Sequence, residues 1–305
     1  MPTLSIIQFI SSIALIYFSA EFIIRYGKIA ALSFGVSRYV IGLTLIAFGT
    51  SFPEFIVSIN ASIMQESSIV FGNVMGSNIA NISLVLALCA IISPILIDRI
   101  NQKDLLFFLI SAILGFIVSL DGTVTHLEGV ILLIVFIFYC YIIKRNIKKN
   151  QTDEQKSIKK SIDIYLLIII ICSFFILIVG SNLFIDSAIE IAASFGVSKI
   201  AISMTMVAIG TSLPELATSV ISVFKKEYGL LVGSIVGSNI MNILMVLGPS
   251  SIINKIEVDI SYLPLILMFS LTVLISCFNF FNIKISRVVG SVLLIIYGTF
   301  IYSNF

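Results

Sequence analysis

Charged residues are scarce in this chain. Lys, Arg, Asp and Glu make up 11% of its 305 residues, whereas hydrophobic residues make up 59%. Soluble globular domains carry about 25% charged residues, so the composition excludes an ordinary soluble protein and indicates a polytopic membrane protein. The formal net charge is only +2, and nothing in the charge pattern indicates binding to nucleic acid.

Residues that commonly build enzyme and zinc centres are also few. The chain has one histidine, His126 in a predicted surface loop, and four cysteines without motif spacing. Structural zinc sites need Cys and His at short spacings, and a serine nucleophile needs a neighbouring base. We therefore predict that the chain is not an enzyme and uses no cofactor.

Long apolar runs fill most of the chain. A helix needs about 20 apolar residues to cross the hydrocarbon core, and ten segments meet this requirement. They are 4–24, 37–63, 69–93, 104–120, 127–145, 161–185, 198–223, 229–253, 260–280 and 285–303. The first has no basic residue before Arg25, unlike a signal peptide. We therefore predict an all-α polytopic membrane protein with ten transmembrane helices.

Basic residues fall almost entirely on one side when the loops are numbered alternately. Sixteen Lys and Arg residues lie in one set of loops, and only Lys199 and Lys255 lie in the other. Seven of the sixteen lie in the longest polar break, Lys144 to Lys160. Because basic loops stay in the cytoplasm, we predict a multi-pass cell-membrane protein with loop 146–160 cytoplasmic and both termini outside.

The sequence repeats itself after 161 residues without a gap. Between Ala31 and Leu86, 25 of 56 positions are identical to the residues 161 positions later. Five helices in each copy is an odd number, so the second copy is inserted upside down, as in many secondary transporters. We predict two inverted five-helix repeats. They are 1–145, with a motif region at 42–86, and 161–305, with a motif region at 203–247, joined by 146–160.

A short motif with a carboxylate occurs once in each repeat, inside an apolar segment. It runs from Gly49 to Glu54 as GTSFPE and from Gly210 to Glu215 as GTSLPE. A charge at bilayer depth is costly and usually functional. A proline within a helix removes a backbone hydrogen bond, and carbonyl groups freed in a membrane need a partner such as a cation. We predict that helices 2 and 7 are broken at these prolines; a simple kink is the alternative.

A polar cluster follows each motif. The clusters are Ser77, Asn78 and Asn81, and Ser238, Asn239 and Asn242. In each cluster the serine and the second asparagine are four residues apart and share a helix face. With the glutamates they form a hard-oxygen set that suits Ca²⁺ and Na⁺. We interpret these four as ligands, whereas Asn78 and Asn239 fit ligation and helix–helix contacts equally well.

The paired GTSxPE motifs, each followed by Gly-Ser-Asn-x-x-Asn, resemble the repeats of the cation/calcium antiporter superfamily, and in particular compact prokaryotic sodium/calcium exchangers. The resemblance implies antiport of Ca²⁺ against Na⁺ by alternating access at a midplane site, with Ca²⁺, Na⁺ and the lipid bilayer as the only implied partners. By motif, Glu54 and Glu215 bind Ca²⁺ with the carbonyl groups of Thr50 and Thr211. The implied Na⁺ ligands at the two ends are Ala47, Ser51 and Ser77, and Ala208, Ser212 and Ser238, with Asn81 and Asn242 in the middle.

Other interpretations remain open at this stage. A proton-coupled calcium antiporter ranks second, although its family usually shows a different motif around the glutamate. In the potassium-dependent branch an acidic residue at position 242 is associated with K⁺ use, and Asn242 argues against that. A passive cation channel is a third interpretation, which the inverted repeat disfavours.

Overall fold

A computed structural model describes residues 2–96, 100–150, 164–194, 211–257 and 262–303. Apart from four two-residue strands, its regular structure is helical. The helices are α1 (Pro2–Phe34), α2 (Arg38–Thr50), α3 (Phe52–Ile63), α4 (Ser67–Ile92), α5 (Gln102–Ile117), α6 (His126–Asn150), α7 (Ile164–Ser194), α8 (Leu213–Phe224), α9 (Tyr228–Ile253), α10 (Tyr262–Phe280) and α11 (Arg287–Ser303). The strands are β1 (Ile95–Leu96), β2 (Thr123–Val124), β3 (Ile256–Glu257) and β4 (Lys284–Ile285).

Six described helices are long and apolar enough to cross a membrane: α1, α4, α6, α7, α9 and α10. The bent pair of α2 and α3 makes a seventh if it counts as one span. An all-helical, multi-pass membrane fold was therefore correctly predicted. Several helices exceed their predicted spans, since α1 reaches Phe34, α7 reaches Ser194, and α6 continues to Asn150 into the predicted central loop. The first part of segment 198–223 lies outside the described residues.

Helices α4 and α9 form the centre of the protein. The most apolar window of α9 is fully buried and that of α4 is 72% buried, whereas that of α1 is only 22% buried. Close approach of α9 to α2 depends on glycine: a Cβ added to Gly237 would overlap the Leu43 carbonyl oxygen and lie 2.7 Å from the Ala47 Cβ. Gly42 likewise packs directly on the Leu230 backbone. Small residues allow membrane helices to pack backbone to backbone in this way.

Helices α1 and α7 pair along their length at the periphery. The rings of Phe9 and Phe184 stack with centroids 4.8 Å apart, and the Ser5 hydroxyl donates to the Glu190 carboxylate. The ring of Phe174 on α7 occupies the space that a side chain at position 49 would need. The pair therefore touches the broken helix beside the Gly49 motif.

The strands interlock the two halves of the chain. β1 pairs with β4, and β2 pairs with β3, both antiparallel. The register Ile95↔Ile285 maps onto Val124↔Ile256 when 161 is added to Ile95 and Val124. Each small sheet therefore contains one strand from each half, related by the same offset as the sequence repeat.

One buried carboxylate ties α1 to the start of α2 and α9. Glu227, only 4% exposed, accepts from Lys28 Nζ at 2.8 Å and from Arg38 Nη1 at 2.8 Å. A second ion pair joins Glu21 of α1 to Lys225, and its hydrogen bond raises the pKa of Lys225 above the usual value. These contacts fasten the peripheral helix to the central bundle at one end of the molecule.

We expect the Lys28→Ala/Arg38→Ala double variant to be less stable than Glu227→Gln. Removing both cations leaves Glu227 charged, buried and unpaired, which costs about 3 kcal/mol. In Glu227→Gln the remaining Lys28 and Arg38 side chains are 38% and 52% exposed, so water solvates them and the loss is about 1 kcal/mol. Thermal unfolding of both variants in detergent measures the order, and the reverse order would contradict this assignment of the buried partner.

Candidate cation site

The two carboxylate motifs break their helices at a serine. α2 ends at Thr50, α3 begins at Phe52, and their axes differ by 43°. Ser51 at the break has φ −83° and ψ 3°, and Ser212, which precedes α8, has φ −85° and ψ 0°. This region of backbone space is sparsely populated outside turns and functional sites. The predicted break in helix 2 is therefore present, and the described end of helix 7 has the same local geometry.

The prolines lie in the first turn of each new half-helix rather than in a helix interior. Pro53 and Pro214 lie at the first or second position of α3 and α8, where a missing N–H costs little. Glu54 and Glu215 follow in the same turn, and a negative charge is stabilised at a helix N-terminus. Each motif thus starts a half-helix whose first turn presents a carboxylate.

The two carboxylates are buried and largely unpaired. Glu54 is 1% exposed and Glu215 is 4% exposed. Both oxygens of Glu54 and Oε2 of Glu215 have no hydrogen-bond donor among the described groups. Oε1 of Glu215 accepts from the Ser51 hydroxyl at 3.4 Å. The two negative charges interact electrostatically, so the pair needs a positive charge to be stable in this surrounding.

Hydroxyl and carbonyl groups surround the carboxylates. The Thr50 hydroxyl contacts the Ile46 carbonyl oxygen at 3.1 Å, the Ala47 carbonyl oxygen at 3.4 Å and the Ser238 hydroxyl at 3.5 Å. Ser77 is buried and interacts with Glu54. These contacts join the broken helix of the first half to α9 of the second.

The asparagines start two π-helical turns. One runs over Asn81–Leu86 within α4 and the other over Asn242–Leu247 within α9, again 161 residues apart. Single π turns in helices occur frequently at functional sites. The first turn packs against α8, which carries Glu215, and the second packs against α3, which carries Glu54. Each asparagine turn therefore faces the glutamate helix of the other half.

The structure brings together most of the predicted ligands and leaves some without a contact. Buried residues at the site are Ala47, Thr50, Ser51, Glu54, Ser77, Asn81, Ser212, Glu215, Ser238 and Asn242. Thr211 is half-buried. Ala208 lies outside the described residues. The Ser212 hydroxyl and both polar atoms of the Asn242 amide are buried without a partner.

Two further residues at the site were not selected by sequence reasoning. Asn239, whose role was left open, accepts from the Asn81 amide at 3.2 Å. Asn73 donates to the Glu54 carbonyl oxygen at 3.0 Å and to the Ser58 hydroxyl at 2.9 Å. Asn73 lies one helical turn before Ser77, and that spacing is the signal that could have identified it. Its counterpart 161 residues later is Ser234, so the repeat alone did not select it.

The donor set suits a hard cation. In the described ranges no three side chains of the His, Cys, Asp and Glu types come together as a metal cluster. The site instead combines two carboxylates with neutral hydroxyl, amide and carbonyl oxygens. Sodium and calcium accept such oxygens in irregular arrangements, whereas zinc prefers nitrogen and sulfur ligands.

Comparisons with known proteins give the same result. The family model described as "Sodium/calcium exchanger protein" matches residues 4–144 and again 165–305. The sodium/calcium exchanger MaX1 of Methanosarcina acetivorans is 30% identical over 99% of this chain and 98% of its own length. An uncharacterized membrane protein of Methanocaldococcus jannaschii is 37% identical over 80% of both chains.

The fold also matches solved structures. A structure of the sodium-calcium exchanger NCX_Mj, soaked with zero Na⁺ and Ca²⁺, superposes with a TM-score of 0.88 and 33% identity, and the match covers 100% of both chains. Family model, relative and fold agree over nearly the whole sequence. The chain therefore belongs to the sodium/calcium exchanger family.

Proposed function

We propose that this protein is a secondary antiporter that exchanges Na⁺ for Ca²⁺ across the membrane. The single observation that carries the proposal is the pair of buried carboxylates, Glu54 and Glu215, whose oxygens lack donors at the meeting point of the two halves. Two negative charges neutralise one divalent cation. Membership of the sodium/calcium exchanger family supports the choice of Ca²⁺ and Na⁺ as substrates.

Shared ligands couple the two fluxes in this proposal. Glu54 and Glu215 bind Ca²⁺ with the carbonyl groups of Thr50 and Thr211. Na⁺ uses the same glutamates, so a full set of Na⁺ and one Ca²⁺ exclude each other. The flanking Na⁺ ligands are Ala47, Ser51 and Ser77 at one end, and Ala208, Ser212 and Ser238 at the other, with Asn81 and Asn242 in the middle.

The proposed topology has ten spans in two inverted repeats, divided at 1–145 and 161–305. Three kinds of local geometry recur at the 161-residue offset: the serine breaks, the π turns, and the positive φ values of Gln65 and Lys226. The family model also matches twice, with starts at 4 and 165. These recurrences support two copies of one unit.

Contacts between loops support the proposed alternation of sides. The β1–β4 pair, the Lys28–Glu227 ion pair and the Lys103–Asn146 hydrogen bond each join loops predicted to be cytoplasmic. The β2–β3 pair and the contact of His126 with the Ser251 carbonyl group each join loops predicted to be outside. With loop 146–160 cytoplasmic by its basic residues, both termini lie outside.

Alternating access is the proposed transport cycle. The paired helices α1 and α7 are the candidate moving unit, because they pack mainly on each other and only Phe174 of α7 is wedged against Gly49. An apolar cleft of about 270 Å³ lies between this pair and α8. Sliding of the pair past the first turn of α8 would change which side reaches Glu215.

Purified protein in liposomes tests the proposed exchange. We expect an outward Na⁺ gradient to drive uptake of ⁴⁵Ca²⁺, with no requirement for K⁺ on either side. Uptake driven by a pH gradient and not by Na⁺ would identify a proton-coupled antiporter instead. Uptake down the Ca²⁺ gradient with no counter-ion would identify a channel, and either result would overturn the proposal.

A further inference from the structure

The asparagines of the two halves do not form equivalent hydrogen bonds. Asn81 Nδ2 donates to Asn239 Oδ1 at 3.2 Å, which joins α4 to α9. The counterpart of Asn239 in the first half is Asn78, and its Nδ2 donates at 2.8 Å to the Val74 carbonyl oxygen of its own helix. Asn242, the counterpart of Asn81, consequently has no partner for either amide atom. One hydrogen bond therefore breaks the symmetry of the repeat at the site.

This bond determines which end of the Asn81 amide is free. An amide has an oxygen that attracts a cation and an NH₂ group that repels it. Because the NH₂ group of Asn81 is engaged, the buried atom left without a partner is its Oδ1. The π turn that begins at Asn81 packs against the helix of Glu215. The free oxygen therefore belongs to a turn that faces one of the two carboxylates.

Asn239 is poorly placed to be a ligand itself. Its oxygen is occupied by the Asn81 NH₂ group, and its unpaired atom is Nδ2, which is a donor. It is only 3% exposed, and Asn81 is 1% exposed. Both amides therefore lack water with which to exchange their hydrogen bond. The geometry suits a residue that acts on the ion through its neighbour.

We propose that Asn239 is a positioning residue, which holds the Asn81 amide with its oxygen available to the transported cation. Asn81 is then the fixed neutral ligand in the middle of the site, and Asn242 is free to rotate. The inference rests on the proposed cation site and adds an inequivalence that the sequence repeat does not contain. Asn78, with the same residue type at the symmetric position, has no such role.

Calcium binding to purified protein in Na⁺-free detergent solution tests this assignment. We expect Asn239→Ala to raise the Kd for Ca²⁺ about fivefold, the size of one lost hydrogen bond. Asn78→Ala is the matched control and should stay within about twofold. Asn239→Asp keeps an acceptor for the Asn81 NH₂ group, so it should bind Ca²⁺ at least as tightly as the unmodified protein.

A double-mutant cycle separates positioning from a general structural effect. In Asn81→Ala the loss of Asn239 should have no further consequence, so Asn81→Ala/Asn239→Ala should match Asn81→Ala alone. Independent, multiplying losses would overturn the inference, as would equal losses in Asn239→Ala and Asn78→Ala. If Na⁺ fails to drive Ca²⁺ uptake in the unmodified protein while the cycle still shows coupling, the proposed exchange fails and the positioning role stands.

Discussion

Neither Glu54→Gln nor Glu215→Gln will transport Ca²⁺ at physiological concentrations. Each change keeps the shape of the side chain and removes one of two buried negative charges. Removing one member of a buried charge pair costs about 3 kcal/mol or more, which is roughly a hundredfold in affinity. ⁴⁵Ca²⁺ uptake into liposomes under an outward Na⁺ gradient measures the loss, and we expect it to be similar for the two variants.

The matched control is Glu66→Gln. Glu66 is exposed and lies in the turn that precedes α4, outside the site, so transport should be unchanged. Full uptake by either site variant would show that one carboxylate is dispensable. That result would contradict a site shared between the two halves.

Gly237→Ala should have the second largest effect, on folding and transport together. The added methyl group would overlap the Leu43 carbonyl oxygen and press on Ala47, and backbone atoms cannot move aside as a side chain can. Overpacking of this kind costs about 1–3 kcal/mol. Because the next residue, Ser238, contacts Thr50, separation of α9 from α2 should also open the site.

Gly298→Ala is the control for this change. Gly298 lies in α11 with no atom within 4 Å of an added Cβ, so alanine there should be neutral or slightly stabilising. Thermal unfolding in detergent and ⁴⁵Ca²⁺ uptake should separate the two variants. Equal behaviour of the two would contradict the close packing of α9 on α2.

The broken helix was predictable because its signal is chemical. A matched Pro and Glu inside apolar segments indicated a break, and the structure has one at Ser51. The position of Pro53 in the first turn, rather than inside the helix, was not predicted, because the motif does not reveal which residue leaves the helical conformation.

Helix lengths were underestimated where charges interrupt an apolar run. α1 was expected to end near residue 24, yet it continues to Phe34 through Arg25 and Lys28. Lys28 is compatible with the helix because it pairs with Glu227, a residue about 200 positions away. Hydropathy in a local window contains no information on such a partner.

The pairing of β1 with β4 and the different roles of Asn78 and Asn239 were also beyond the sequence. Two-residue strands have no periodicity from which to predict pairing. The two asparagines are identical in type and in repeat position, so only three-dimensional packing distinguishes them.

Calcium titrations of the purified protein at a series of Na⁺ concentrations test most directly whether one carboxylate pair serves both ions. We expect the apparent Kd for Ca²⁺ to rise steadily with Na⁺ while the number of Ca²⁺ bound stays constant, and we expect binding to be lost in Glu54→Gln and Glu215→Gln. A Kd for Ca²⁺ that does not change with Na⁺, or binding retained in either variant, would contradict a single site for which Na⁺ and Ca²⁺ compete.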